Sequence, residues 1–358
     1  MFRFLIRKLL YGMLVMAGVV TIVFFLFNIL PGDPARMMLG QRADVTSLEN
    51  INRELGRDKS LPVQFLMYLN DLSPLSLHHR KDSLSSFYAN EEKYGHMISL
   101  LPLGDHSLYA KTPYLRRSYQ TSQKVSEVIS DALPGTVILA IASMVFATLA
   151  GISLGVVSAL HKNTFTDQLI GMAAVFGMAL PSFFAAIIVA WIFGFVLSDF
   201  TGLNMTGSLY RIDPFDGIVM EWKNLILPAV TLGIRPLSVI VQLTRSSMLD
   251  VLSQDYVRTA KAKGLSKAVI VGRHALRNAL NPVLTAVSGW FGSLLAGAVF
   301  IEYVFGWKGI GKVTVDSLER YDFPVVMGCV LVVSLFFVII NIFVDILYGF
   351  LDPRVRIK

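Results

Sequence analysis

Long apolar runs separated by charged connections set the pattern of this chain. They lie at Leu9–Leu30, Pro134–Leu160, Gln168–Leu197, Leu225–Met248, Pro282–Val304 and Phe323–Leu351. A hydrocarbon core of about 30 Å is crossed by about 20 helical residues, each rising about 1.5 Å, and every run reaches that length. An unpaired backbone in lipid costs several kcal/mol per group, so the runs are read as helices. A barrel would show short alternating segments instead. The pattern therefore predicts an all-α integral membrane protein with about six transmembrane helices and a long external loop between helices 1 and 2.

Composition agrees. The 358 residues are 54% hydrophobic and 16% charged, with mean hydropathy +0.59, against about 25% charged in soluble domains. The net charge of +7 lies mainly beside the runs, so topology explains it better than nucleic acid does. Arg3, Arg7 and Lys8, Lys162, the cluster Arg245, Arg258, Lys261, Lys263, Lys267, Arg273 and Arg277, and the ending Arg354, Arg356 and Lys358 fall on one side. The positive-inside rule then places both termini in the cytoplasm. The first run is longer than a signal-peptide core and ends in Pro31-Gly32-Asp33-Pro34, so it is read as a retained span. One cysteine, Cys329, excludes an internal disulfide and a cysteine metal cluster.

The expected division is residues 1–30 (N-terminus and first helix), 31–133 (external segment) and 134–358 (a five-helix core containing the charged connection 249–281). Within the external segment, Leu61, Phe65, Leu66 and Leu69 keep helical spacing. Residues 73–119 are polar and read as a loop or small lid with little core.

The charged connection carries the most information. A helix is expected from about Asp255 to Lys263, stopped at Gly264, where positive φ suits glycine. A second, capped by Ser266, is expected over Lys267–Leu280. Leu265, Val269, Ile270 and Leu276 would hold the pair at the membrane surface. Two short helices with a tight turn can dock in a groove of a soluble partner. A basic loop that only fixes topology is the plainer alternative.

This connection resembles the coupling loop, or EAA motif, of binding-protein-dependent ABC importer permeases of the dipeptide, oligopeptide and nickel branch. Tyr256, Val257, Arg258, Thr259, Ala260, Ala262, Lys263, Gly264 and Leu265 match it, as does Arg273–Leu280 downstream. Arg258 stands where the general motif has Glu, a usual substitution in this branch. Leu30–Ala35, Leu61–Phe65, Leu133–Thr136, Leu180–Phe183, Leu243–Met248, Glu302–Gly311 and Leu351–Arg354 fit the family too. Residues 73–119 depart from it as an atypical insertion. The resemblance implies a type I permease fold and a coupling role for Tyr256, Arg258, Thr259, Ala260, Lys263, Gly264 and Leu265. It also implies a homologous second permease subunit, two ATP-binding cassette ATPases that carry ATP and Mg, and an external solute-binding protein. No catalytic, cofactor or metal residue is expected on this chain.

Pro181, Ser182, Arg235, Glu302, Trp307 and Asp345 are the expected path and gate residues. Arg235 lies deep in the fourth run, where charge is costly, so it faces the pore or pairs internally. Pro181 and Ser182 interrupt the third run, as Pro228 and Pro236 do the fourth, giving gating bends or packing shape. Gly151 and Gly155, and Gly292 and Ala296, permit close helix approach. Asp345 is expected to anchor the inner gate by hydrogen bonding. By the resemblance, Glu302 and Trp307 belong to an external gate loop. Gly306–Lys312 mimics a phosphate loop, but Val313 replaces the required Ser or Thr and no strand precedes it. His78, His79, His96 and His106 match no metal spacing and are expected on the surface. The function so implied is import of short peptides, with nickel or another small solute as the alternative. A stand-alone secondary carrier or channel is the reading from another class.

Overall fold

The computed structural model describes residues 2–29, 57–80, 82, 85, 87–215 and 217–351. The expected Leu30–Ala35 motif and the basic ending 352–358 lie outside them. The main helices are α1 (Phe2–Ile29), α2 (Leu61–Leu72), α3 (Val125–Leu160), α4 (Phe165–Ala179), α5 (Ser182–Trp191), α6 (Lys223–Leu252), α7 (Asp255–Ala262), α8 (Arg277–Phe305), α9 (Ile310–Glu319) and α10 (Phe323–Leu351). Strands β1 (Leu75–His79), β2 (Ile98–Leu103) and β3 (His106–Ala110) form one sheet. Strands β4 (Tyr210–Asp213) and β5 (Gly217–Met220) form a hairpin. Among the described residues four helices are long and apolar enough to cross a membrane, and up to six if each bent pair counts once.

Two compact units emerge: 1–13, 132–312 and 333–358 form one, and 14–131 with 313–332 form the other. In the first, α6 is the central element, packed on α4, α5 and α8. Its closeness to α3 depends on missing side chains. A Cβ on Gly151 would come 2.7 Å from Ile240, and one on Gly155 2.6 Å from Thr244. Gly292 similarly admits Phe337 and Asn341 of α10. Ala296 lies outside the side chains described. Leu139, Ala186, Leu232, Ile301, Phe305 and Trp307 belong to one buried cluster.

The third run is not one helix. Pro181 lacks an N–H and forces Leu180 into extended backbone (φ −70°, ψ 131°). Helix α4 stops there, and α5, continued by a π-turn over Ile192–Val196, leaves at 114°. The expected kink is a full break. Helix α3 also starts at Val125, nine residues before the expected Pro134, since its first turns are too polar to count in an apolar run.

In the second unit, Phe24 of α1 packs on Phe65 and Tyr68 of α2, with ring centroids 5.1 and 5.4 Å apart. Met327 and Leu331 complete that cluster. The segment expected to be a coreless lid is instead a folded antiparallel sheet in the order β1-β3-β2. Its alternation is inverted. Ser76, His78 and Ser107 are buried, whereas Leu75, Leu77, Leu101 and Leu103 are exposed. The buried side surrounds Asp71, which accepts from Lys93 Nζ (3.0 Å) and Tyr94 Oη (2.7 Å), while Lys111 Nζ donates to the Asp71 carbonyl (2.7 Å). Burial pushes Lys111 down to about 8 and lowers His78. His78, expected on the surface, is fully buried between Ser76 Oγ (2.9 Å) and the Phe87 carbonyl (3.3 Å). The second unit is also tied by Asp322, which accepts from Ser118 Oγ and from Tyr119 N (2.9 Å).

Candidate coupling surface and transport path

Helix α7 is held on one side only. Val257 and Ala260 are buried against Ile270, beside Val251 and Leu252 at the end of α6. The opposite side is open: Asp255 and Arg258 are almost wholly exposed and form a loose pair at 3.5 Å, worth little in water. Thr259 Oγ1 returns to the Asp255 carbonyl (2.9 Å). Tyr256 is half exposed and its hydroxyl accepts from Asn278 Nδ2 (2.8 Å), linking α7 to α8.

The turn follows from local chemistry. Lys263 N–H donates to Thr259, Gly264 N–H to Lys261, and Leu265 N–H to Ala260 (3.3 Å), closing the end of α7. Gly264 has φ +77°, and a Cβ there would meet nothing within 4 Å. Glycine is required by backbone conformation, not by space. Leu265 is exposed.

Beyond the turn the expectation is corrected twice. Ser266 has extended backbone but makes no side-chain cap. The second helix is no separate element: a helical turn (Lys267–Val269) passes through a π segment (Ile270–Leu276) into α8. Ala275 and Ala279 are fully buried and share a cluster with Ala159 and Met248. One short helix is thus hinged by Gly264 to a long one.

Beside this surface lies a pair that the sequence reading missed. Asp167 of α4 accepts both Nε (2.6 Å) and an NH2 group (2.7 Å) of Arg245 on α6, together with Ser158 Oγ (2.5 Å) and Asn163 N–H (2.9 Å). The available signal was Thr164 three residues before Asp167, the spacing of a helix N-cap.

At the far end of α8, Glu302 and Trp307 are fully buried. The Glu302 carboxylate accepts from Thr136 Oγ1 (2.7 Å), Gly311 N–H (2.7 Å) and Lys312 N–H (3.1 Å). Thr136 Oγ1 in turn accepts from Ile310 N–H (2.8 Å), and Trp307 Nε1 donates to the Gly135 carbonyl (3.0 Å). A Cβ on Gly135 would collide with the Lys308 carbonyl, and one on Gly309 with Glu302. Two amides of the phosphate-loop mimic, Gly311 and Lys312, are therefore taken by a carboxylate of the same chain.

The other expected path residues lie elsewhere. Asp345 pairs with Lys8 (2.6 Å), an ion pair that joins the later part of α10 to the start of α1. Pro181 sits in the break before α5. Ser182 and Arg235 line one cavity of about 160 Å³. Among the described residues no group of three or more His, Cys, Asp or Glu is placed to hold a metal.

Residues 151–357 match the family described as the binding-protein-dependent transport system inner membrane component. Residues 1–83 match its N-terminal counterpart. The dipeptide transport system permease protein of Alkalihalophilus pseudofirmus is 33% identical over 370 residues, covering 99% of this chain and 100% of its own. The glutathione transport system permease protein of Salmonella paratyphi A is 34% identical over 359 residues, covering 100% of each. A solved amino acid ABC transporter with histidines superposes with a TM-score of 0.44 at 12% identity, over 64% of this chain and 94% of that one.

Proposed function

This chain belongs to the family of binding-protein-dependent transport system inner membrane components, and from that we propose that it forms half of the translocation pathway of an ATP-driven importer of short peptides. It is a transport subunit and not an enzyme. The solute class is supported by the two relatives, one named for dipeptide and one for glutathione transport; glutathione is itself a small peptide.

The observation that carries the reading is the one-sided anchoring of α7. Val257 and Ala260 fix it to the ends of the long helices, and Tyr256 to α8 through Asn278, while Arg258, Lys263 and Leu265 stay open. A rigid amphipathic helix with a free outer face is built to be gripped. ATP and Mg sit on two separate ATPase subunits, a homologous permease completes the pore, and a solute-binding protein delivers from outside. Closing of the ATPase pair drives the two coupling helices together and biases the spans between two arrangements. The chain lies in the bacterial inner membrane with both termini cytoplasmic, as the charge asymmetry supports.

Replacing Gly264 with valine tests this in the complete transporter in proteoliposomes. A β-branched residue is strained at φ +77°, so ATP hydrolysis should continue while solute uptake drops. Uptake equal to wild type would remove α7 from the coupling role.

A further inference from the structure

The cavity at the break between α4 and α5 holds a charge that the coupling reading does not use. Its wall includes Ser182 of α5, Thr231, Leu232 and Arg235 of α6, and Trp290 and Ser293 of α8. Arg235 lies twelve residues beyond Lys223, the first residue of α6, so about 18 Å along that helix at about 1.5 Å per residue. A guanidinium at such depth is costly without water or a counter-charge. The ion pairs of this unit include Lys8–Asp345, Arg211 with Asp213 and Glu221, Arg245–Asp167 and Arg258–Asp255. Arg235 is in none of them.

The surroundings fit a group with a negative end and a polar backbone. The guanidinium is always protonated and offers a planar fork matched to a carboxylate. Helix α5 begins at Ser182 with no side-chain cap, so first-turn amides remain available beside it. Pro236 has no N–H, so α6 lacks one helical hydrogen bond, to the Leu232 carbonyl, beside the cavity. Trp290 supplies apolar wall.

We propose that this cavity is a transient binding site in which Arg235 receives a carboxylate of the passing solute, making it a specificity-determining residue of the path. The proposal deepens the peptide-importer reading and rests on it.

The test uses the complete transporter in proteoliposomes, with one wild-type binding protein saturated with either labelled Ala-Ala or its C-terminal amide. Any preference of the binding protein cancels between wild type and variant. R235Q should lower import of the free acid about tenfold relative to the amide, the loss expected for one charge-assisted contact, and R235K should recover part of it. R235M serves if R235Q fails to assemble. An acid-to-amide ratio in the variants equal to that of wild type overturns this proposal alone. A wild-type complex that moves neither compound overturns the peptide reading and this proposal together.

Discussion

The Glu302 junction makes a graded prediction, because every hydrogen there has a fixed direction. Ile310 N–H occupies one lone pair of Thr136 Oγ1, so the Thr136 hydroxyl is left to donate to Glu302. Gly311 and Lys312 N–H donate to the other carboxylate oxygen. Three donors thus converge on the carboxyl group, which accepts from all three in its ionised form. In E302Q one oxygen becomes an NH2. If the remaining oxygen takes the two amides, the NH2 meets Thr136, whose hydroxyl hydrogen loses its acceptor. One buried donor left unmade costs about 1–3 kcal/mol. E302A strands all three donors, for about 3 kcal/mol or more. T136V removes one bond and orphans Ile310 N–H, and so falls near E302Q. Because the two positions share a bond, E302Q and T136V together should cost less than their sum. Thermal unfolding of the detergent-purified protein, followed by tryptophan fluorescence, gives the ranking: wild type, then E302Q and T136V, then E302A. The reasoning fails if E302Q melts with wild type, or if it melts below E302A, since the donors would then not be what the carboxylate satisfies.

Two further outcomes follow from the charged clusters. D167N leaves the Arg245 fork half matched; about a third of the Arg245 side chain is exposed, so the cost is about 2–3 kcal/mol, below that of a fully buried pair. A double-mutant cycle with R245Q should return a coupling energy above about 1 kcal/mol, and simple additivity would exclude a functioning pair. In the sheet, burial pushes Lys111 down to about 8 from the ordinary 10.5. Between those values the unfolded chain binds more protons than the folded one, so local stability rises with pH from about 8. Tyr94 is pushed up by burial, so above pH about 10 the unfolded chain binds fewer, and stability falls again. Hydrogen exchange of the β3 amides, corrected for intrinsic rates, should show this maximum, and K111M should lose the rising limb.

The parts of the fold legible in the sequence are those where a single residue or a membrane imposes its own geometry. Run length located the helices because the bilayer sets a minimum. Pro181 announced a bend, which the structure shows as a full break, and Gly264 a left-handed turn; both are local backbone demands. The 114° angle at the break was not legible, because it depends on what α4 and α5 pack against. Nor was the passage of the connection into α8, since Arg273 and Arg277 interrupt the apolar pattern where the π segment Ile270–Leu276 runs into that helix.

The sheet shows why the remainder stayed hidden. Polarity patterning assumes that apolar positions point inward, and here Leu75 and Leu77 point out while Ser76 and His78 point in. Beside that inverted face the buried Asp71 carboxylate is met by Lys93 and Tyr94, and its main-chain carbonyl by Lys111. The same logic governs Glu302, whose partner Thr136 lies 166 residues away in sequence. In both places a buried carboxylate dictates which distant segments meet. A reading along the chain sees each donor singly as an ordinary polar residue, because the acceptor that gives it meaning is supplied only by the fold. Polar positions that break an apolar pattern are thus the ones whose roles a single sequence leaves open, and in this chain they are where the structural junctions lie.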